Sequence, residues 1–587
     1  MKSYIKLVSL GVAMAGLSAC TDLDTVIDAQ YPTLPDNPII VDAEFNSCYF
    51  YLHGWFGRDF QEGFVNQGDE VLAGCYTIGD WYDDGRAVNG SIHSLTVNNW
   101  NCHMLADCMS GANMCNEKIA LYGGPEMKDP IVAPLRLMRA WYHFWAMEGW
   151  GDVPLLDHKP AEGERVDRQP RADVVKFIAD ELEEILAQTN EDGTPALSKA
   201  NDMSTYGKPN YWMGAFLLAK VYLNWGVYTH DITTVTNDTP NEKLADCMKW
   251  CDEIIQSGVF EVGQGYRKKF FPDNGVHIKD FIYALNVDPA TQSNGCIAWY
   301  RYHGFKYNGL CSPTPLYFMP SKSIGGTHVV TPEAVKRFNL PGDERNQIIL
   351  SGPQFVIDNK YNITDEPVMF YKDVTKPNTC AGQLVFEPEF DFDDATVYSF
   401  GPSDLPAFSK QTIADGTAQL NCRKGARCFK FPPRQEDYDL WNRSQANDYP
   451  IMRFADVLMM KAECILRGVP ATNGQTVADL INPIRLCASA PTVSGAFTLQ
   501  DLLDERSREL FIEPWRRNDL IRFGQFENDW AAKNQYKVWD DEAHTTFHMV
   551  ERPGAKDPRR RLMPIYKDEL TNNTNWSQNP GYEGVAI

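Results

Sequence analysis

The sequence predicts a mainly α fold: one helical body of four tetratricopeptide-like hairpins that carries a long irregular region with few short strands. Three observations predict it. Apolar residues recur at steps of three and four in separated blocks, each closed by glycine or proline. Small residues, Ala140, Ala219 and Ala462, stand where paired helices approach closely. Between about 270 and 446 the helical period gives way to Gly, Pro, Asn and aromatic residues, the composition of loops and turns.

Taken in order, the chain opens with Lys2, Lys6 and the apolar run "LVSLGVAMAG". That run is too short to cross a bilayer core, which takes about 20 residues, and it has the parts of a secretory signal peptide over 1–19. The "LSAC" that closes it resembles the lipobox of bacterial lipoproteins, which makes Cys20 the lipidated first residue of the mature chain. Asp22 and Asp24 resemble an acidic export tag for the outer leaflet of the outer membrane. Residues 20–40, rich in Pro and Asp, read as a tether.

The helical blocks follow. In "LRLMRAWYHFWAMEGWGDVPLL", Leu135, Met138, Trp141, Tyr142 and Trp145 make one stripe, ended by Gly149 and Gly151. A stripe of aromatics at this spacing is packing surface, so these rings are assigned to the core. "WMGAFLLAKVYLNWGVY" and "EKLADCMKWCDEIIQSG" form the next pair, stopped by Gly258. The last blocks are "RFADVLMMKAECILRG", "VADLINPIRL" and "LLDERSRELFIEPWRRNDLIRFG". The expected organisation is an N-terminal region 41–260, an irregular insertion 261–446 that faces ligand, and a helical region 447–587.

Composition excludes some functions. The chain has 55 basic and 78 acidic residues and a net charge of −23, which loss of Lys2 and Lys6 makes more negative still. Nucleic-acid binding needs clustered Lys and Arg, so it is excluded. Of the 15 cysteines, Cys247 and Cys251 fall on one helical face and read as buried thiols, whereas Cys422 and Cys428 could close a loop across Gly425. With no second pair at zinc spacing, no metal site is expected.

"GDE" (Gly68 to Glu70), Trp100 with "ANMCNEKI", the "LRLMRAWYHFWAMEGWGDVPLL" helix, "KFPPR" (Lys430 to Arg434), "YPIMRFADVLMMKAE", "ERSRELFIEPWRRNDLIRFG" and the closing "RLMPIYKDELTNNTNWSQNPGY" occur together in this order. Their conjunction resembles the SusD/RagB family of Bacteroidetes outer-membrane lipoproteins. Pro483, Pro514 and Tyr566 depart from the family pattern, and Pro483 should kink its helix. The resemblance implies a surface-exposed, lipid-anchored, non-enzymatic protein without cofactor. Its partner would be a SusC-like TonB-dependent transporter, to which it hands captured oligosaccharide or, in RagB-type members, peptide.

Sugar capture needs flat aromatic faces with polar groups beside them. Two stretches have that composition: "GDWYDDGR", with Trp81, Tyr82, Asp83 and Arg86, and "AWYRYHGFKYNG", with Trp299, Arg301, Tyr302 and Tyr307. If the second is an alternating strand, only one of its faces meets ligand. The acidic run Glu387, Glu389, Asp391 and Asp393 leaves two further readings open. Its oxygens are of the kind calcium takes, and paired carboxylates are what a glycoside hydrolase requires. His544 and His548 lack the glutamate of a zinc-protease helix. Arg517, Asp519 and Arg522 are assigned to structural pairing.

Overall fold

The helices form where the apolar stripes are widest. The computed structural model describes residues 38–56, 60, 63–73, 86–285, 328–371, 380–383, 385–386, 426–432, 447–530, 533, 535–541, 546–551 and 555–582. It divides into two compact units, 1–47 and 48–587. Helix α1 (Pro38–Trp55) begins inside the stretch read as tether, with proline at its start, where the missing N–H costs nothing. Within the first unit Ser47 Oγ donates to the Glu44 carbonyl (2.8 Å).

In the second unit a short helix α2 (Arg86–Ser91) precedes α3 (Met104–Tyr122), α4 (Ala133–Trp150), α5 (Arg171–Ala187), α6 (Tyr211–Leu223), α7 (Trp225–Thr229) and α8 (Leu244–Gln256). After the short α9 (Pro332–Arg337), helices α10 (Phe454–Leu466), α11 (Val477–Cys487), α12 (Leu499–Glu509), α13 (Arg516–Arg522) and α14 (Lys567–Asn572) complete the set. Packing runs from neighbour to neighbour: α3 on α4, α4 on α5, α5 on α6, α6 on α8, α8 on α10, and α10 on α11. This is the stacking of helix hairpins that the pattern predicts.

Helix α4 is the centre of the core. Trp141, Tyr142 and Trp145 are buried, as their stripe requires, and Trp145 stacks on Trp515 at 5.4 Å and 26°. Gly151 ends the helix with φ +74°, and its N–H returns to the Met147 carbonyl (2.9 Å). Pro483 lies within α11 without ending it. Cys247 and Cys251 are buried thiols in no disulfide. Cys428 is buried, while its suggested partner Cys422 lies outside the described residues. His548 is on a strand, not a helix, with Nδ1 2.6 Å from Asp540.

The strands pair only two at a time among the described residues, always antiparallel. Those that matter for the site are β1 (Val71–Ala73), β2 (Phe281–Leu285), β3 (His328–Val330), β4 (Ile349–Leu350), β5 (Arg427–Cys428) and β6 (Tyr449–Arg453).

Helix α3 approaches α4 through Gly111, where an added Cβ would stand 2.5 Å from the Tyr142 ring. That ring cannot retreat freely, because its hydroxyl donates to the Cys48 carbonyl (2.5 Å). The gain in helix propensity on replacing glycine is below about 1 kcal/mol. We therefore expect Gly111→Val to destabilise by about 1–3 kcal/mol through overpacking, read as a lower urea midpoint.

Candidate functional site

Of the residues predicted to meet ligand, Trp81, Tyr82, Asp83, Trp299, Arg301, Tyr302 and Tyr307 lie outside the described residues, as do Cys20 and the acidic run 387–393. Arg86 opens α2, and its side chain is not among those described. The structure instead defines the bases from which these segments spring. Strand β1 pairs with β3 in the register Val71↔Val330, Leu72↔Val329 and Ala73↔His328. Ala73 is the last described residue before 74–85, and His328 the first after 286–327. One end of 74–85 and one end of 286–327 thus meet at one paired position.

Further segments join the same base. Val330 N–H donates to the carbonyl of Ala426 (2.9 Å), where the chain returns from 387–425, and β5 then pairs with β4. Strand β2 ends at Leu285, opposite Tyr449 of β6. Asn447 Nδ2 donates to the Pro432 carbonyl (3.0 Å), which closes the root of 433–446, and also to the Phe270 carbonyl (2.8 Å).

These roots rest on buried ion clusters. Asp69 receives Arg516 Nε (2.6 Å), Arg516 Nη2 (2.8 Å) and Arg337 Nη1 (2.9 Å). Burial opposes its charge, but the two guanidiniums hold its carboxyl well below the usual range. Beside it Glu70 accepts from Ser507 Oγ and Ile512 N–H, each at 2.8 Å. Burial, against weaker help from Arg516, pushes Glu70 up to about 7. Thr331 stitches this turn to the end of β3, its N–H to the Glu70 carbonyl (3.0 Å) and its Oγ1 to that of Asp69 (2.6 Å).

Under β2 and β6, Arg453 donates to Glu513 (2.9 Å), Asp280 (2.6 Å) and Glu509 (2.7 Å), and all four side chains are buried. Lys430 of "KFPPR" reaches the other oxygen of Glu513 (2.6 Å), and Lys269 reaches Asp280 (2.8 Å). Arg345 extends the cluster to Asp343 (2.7 Å), Glu505 (2.9 Å) and Glu509 (3.2 Å). The assignment of Arg517, Asp519 and Arg522 to structural pairing holds: Asp519 pairs with Arg522 (2.7 Å), and Arg517 pairs with the buried Glu148 (3.2 Å). What this arrangement does chemically is hold loop roots rigidly. A cleft of about 540 Å³ opens elsewhere, between Val227, Asn237, Asn241 and Arg467, and no predicted ligand residue lines it.

The SusD family model matches residues 279–582, more than half of the chain. The chain belongs to the SusD family. It is 24% identical over 473 residues to the starch-binding protein SusD of Bacteroides thetaiotaomicron, covering 77% of this chain and 72% of that protein. Among solved structures, surface glycan-binding protein A from Bacteroides fluxus superposes with a TM-score of 0.63 at 17% identity, over 93% of this chain and 100% of that one. Surface glycan-binding protein A from B. thetaiotaomicron, in complex with laminarihexaose, gives 0.61 at 15%, over 92% and 99%. These likenesses establish a SusD-like fold for this chain.

The carboxylates make stability depend on pH with two signs. Arginine neighbours hold Glu463 and Glu505 down at about 2 against the cost of burial. Their contribution, about 3 kcal/mol each, is complete above their unfolded pKa near 4.5 and is lost as pH falls toward 2. Glu70 is raised, so between about 4.5 and 7 the native state binds the extra proton and stability falls as pH rises. Urea unfolding followed from pH 2 to 8 should therefore peak near pH 4.5 to 5 for these three groups, and Glu505→Gln should shrink the acid limb. We also expect Arg453→Met to cost about 3–5 kcal/mol by stranding buried carboxylates, whereas Lys176→Met, which breaks an exposed pair, leaves the midpoint unchanged.

Proposed function

We propose that this SusD-family protein is a cell-surface glycan-binding lipoprotein, anchored through Cys20 to the outer membrane. It captures oligosaccharide and delivers it to a SusC-like TonB-dependent transporter. The observation that supports the binding reading is the Ala73↔His328 pairing, which joins one flank of each stretch that holds an aromatic-polar segment. Curved glycans need several aromatic faces and polar groups converging from different parts of a chain, and a shared rigid root supports that convergence. The relatives named as starch-binding and laminarin-binding support glycan as the ligand class. We read the protein as a binder and not an enzyme; its described ionisable clusters are engaged in holding the fold.

A glycan and peptide binding screen with the full chain in detergent, with product analysis of the same samples, tests this. Trp81→Ala combined with Trp299→Ala should weaken binding of the glycan hit at least about tenfold while circular dichroism is unchanged, since each stacked ring is worth on the order of 1 kcal/mol. Unchanged affinity would remove both segments from the site. Binding of peptides alone would replace glycan as ligand, and released sugar products would replace capture with hydrolysis. A pull-down from native outer membrane that recovers no barrel would remove the transporter.

A further inference from the structure

The cleft of about 540 Å³ sits among helix ends. Leu223 closes α6, Leu244 opens α8, Leu466 closes α10 and Leu499 opens α12, with Val227 of α7 beside them. Its size is that of a site for a small molecule. The apolar part of its wall is aliphatic, and among the described residues no aromatic ring lines it. It therefore offers no stacking face to a sugar, and a branched apolar group suits it better.

The polar side of the cleft is the loop 236–241, which is held in place from both flanks. Thr239 Oγ1 accepts from the Thr236 N–H (2.8 Å), and Asn241 Nδ2 donates to the Tyr222 and Leu223 carbonyls (3.0 and 2.9 Å), capping the end of α6. Gly226 lets the loop lie close on α7, since an added Cβ would collide with the Pro240 carbonyl. Arg467 ties the loop to the end of α10: its Nη1 donates to the Asn237 carbonyl (2.7 Å), its Nη2 to Asn237 Oδ1 (3.3 Å) and its Nε to Glu463 (2.9 Å).

Two charges on this wall keep unspent capacity. Arg467 uses three of the five N–H groups of a guanidinium, and one on each terminal nitrogen has no acceptor among the described residues. Asp238 is exposed, and its carboxylate makes no hydrogen bond or ion pair among the described residues. Both line the cleft, yet they do not pair with each other. The other arginine of the wall, Arg522, is fully engaged by Glu463, Asn224, Asn518 and Asp519. The cleft thus presents one cation, one anion and an aliphatic surface. A simple carboxylate would satisfy Arg467 but face Asp238, and a simple amine would do the reverse. A zwitterion with an apolar side chain meets all three.

We propose that this cleft binds a free aliphatic α-amino acid, with its carboxylate on Arg467, its ammonium on Asp238 and its side chain against Leu223, Val227 and Leu466. The proposal goes beyond glycan capture and stands independently of it.

Calorimetric titration of the full chain in detergent with L-leucine tests it. L-leucine should bind saturably. 4-Methylpentanoate lacks the ammonium, leucinamide the carboxylate and glycine the side chain; each should bind at least about tenfold more weakly, the loss expected of one charge-assisted hydrogen bond or one buried aliphatic group. Asp238→Asn alters an exposed side chain and leaves the fold intact, and it should weaken L-leucine by the same factor without weakening 4-methylpentanoate. Leu499→Trp fills the cleft and should abolish binding while circular dichroism is unchanged. Absence of L-leucine binding up to about 10 mM, or binding that both variants leave unchanged, overturns the proposal, and either result leaves glycan capture standing.

Discussion

Arg453 lies fully buried among Asp280, Glu509 and Glu513, and the rest of the irregular half hangs from that arrangement. Taking such ions out of water costs several kcal/mol each, and only a complete set of partners at good geometry offsets it. A register slip in β6, or a shift of the "RELFIEPW" segment, would leave a charge without its counter-charge. The cluster therefore acts as a geometric lock: it admits one relation between β2, β6, the "KFPPR" segment and the end of α12. Asp69 and Arg516 apply the same constraint at the root of β1.

Two kinds of physics divide the molecule. The helix run is held by apolar burial, with the tryptophans of α4 at its centre, and neighbour-to-neighbour packing makes it tolerant of sequence change. The described residues of the irregular half pair their strands only two at a time, and side chains such as Asn447 and Thr331 and the buried ions supply further connections. A stiff base suits a binding protein, since it fixes where the segments that leave it begin. The fold persists at 15–17% identity to the solved relatives because it depends on pattern more than on particular apolar residues.

Much was legible in the sequence. The stripe through Trp141, Tyr142 and Trp145, the glycine stops at Gly151 and Gly258, and the buried thiols of Cys247 and Cys251 follow from period and composition alone. The tether was read too long, because Pro38 signals loop when seen in a Pro-rich stretch and yet is favourable at a helix start. Pro483 lies inside α11 without ending it, because one missing hydrogen bond leaves the rest of the helix's bonds and packing in place.

By itself the sequence determined the helical class, the family and the composition of the two aromatic-polar segments. These are local properties, set by periodicity and by short motifs. Tertiary structure decided which charges are buried and which strands meet: Arg453 and Glu509 look like surface residues of a helix face, and nothing in "GDE" announces Arg516 as its partner. Likewise, no local signal places Ala73 opposite His328. Such pairings join residues hundreds of positions apart, and their energies exist only once the intervening chain has folded and excluded water.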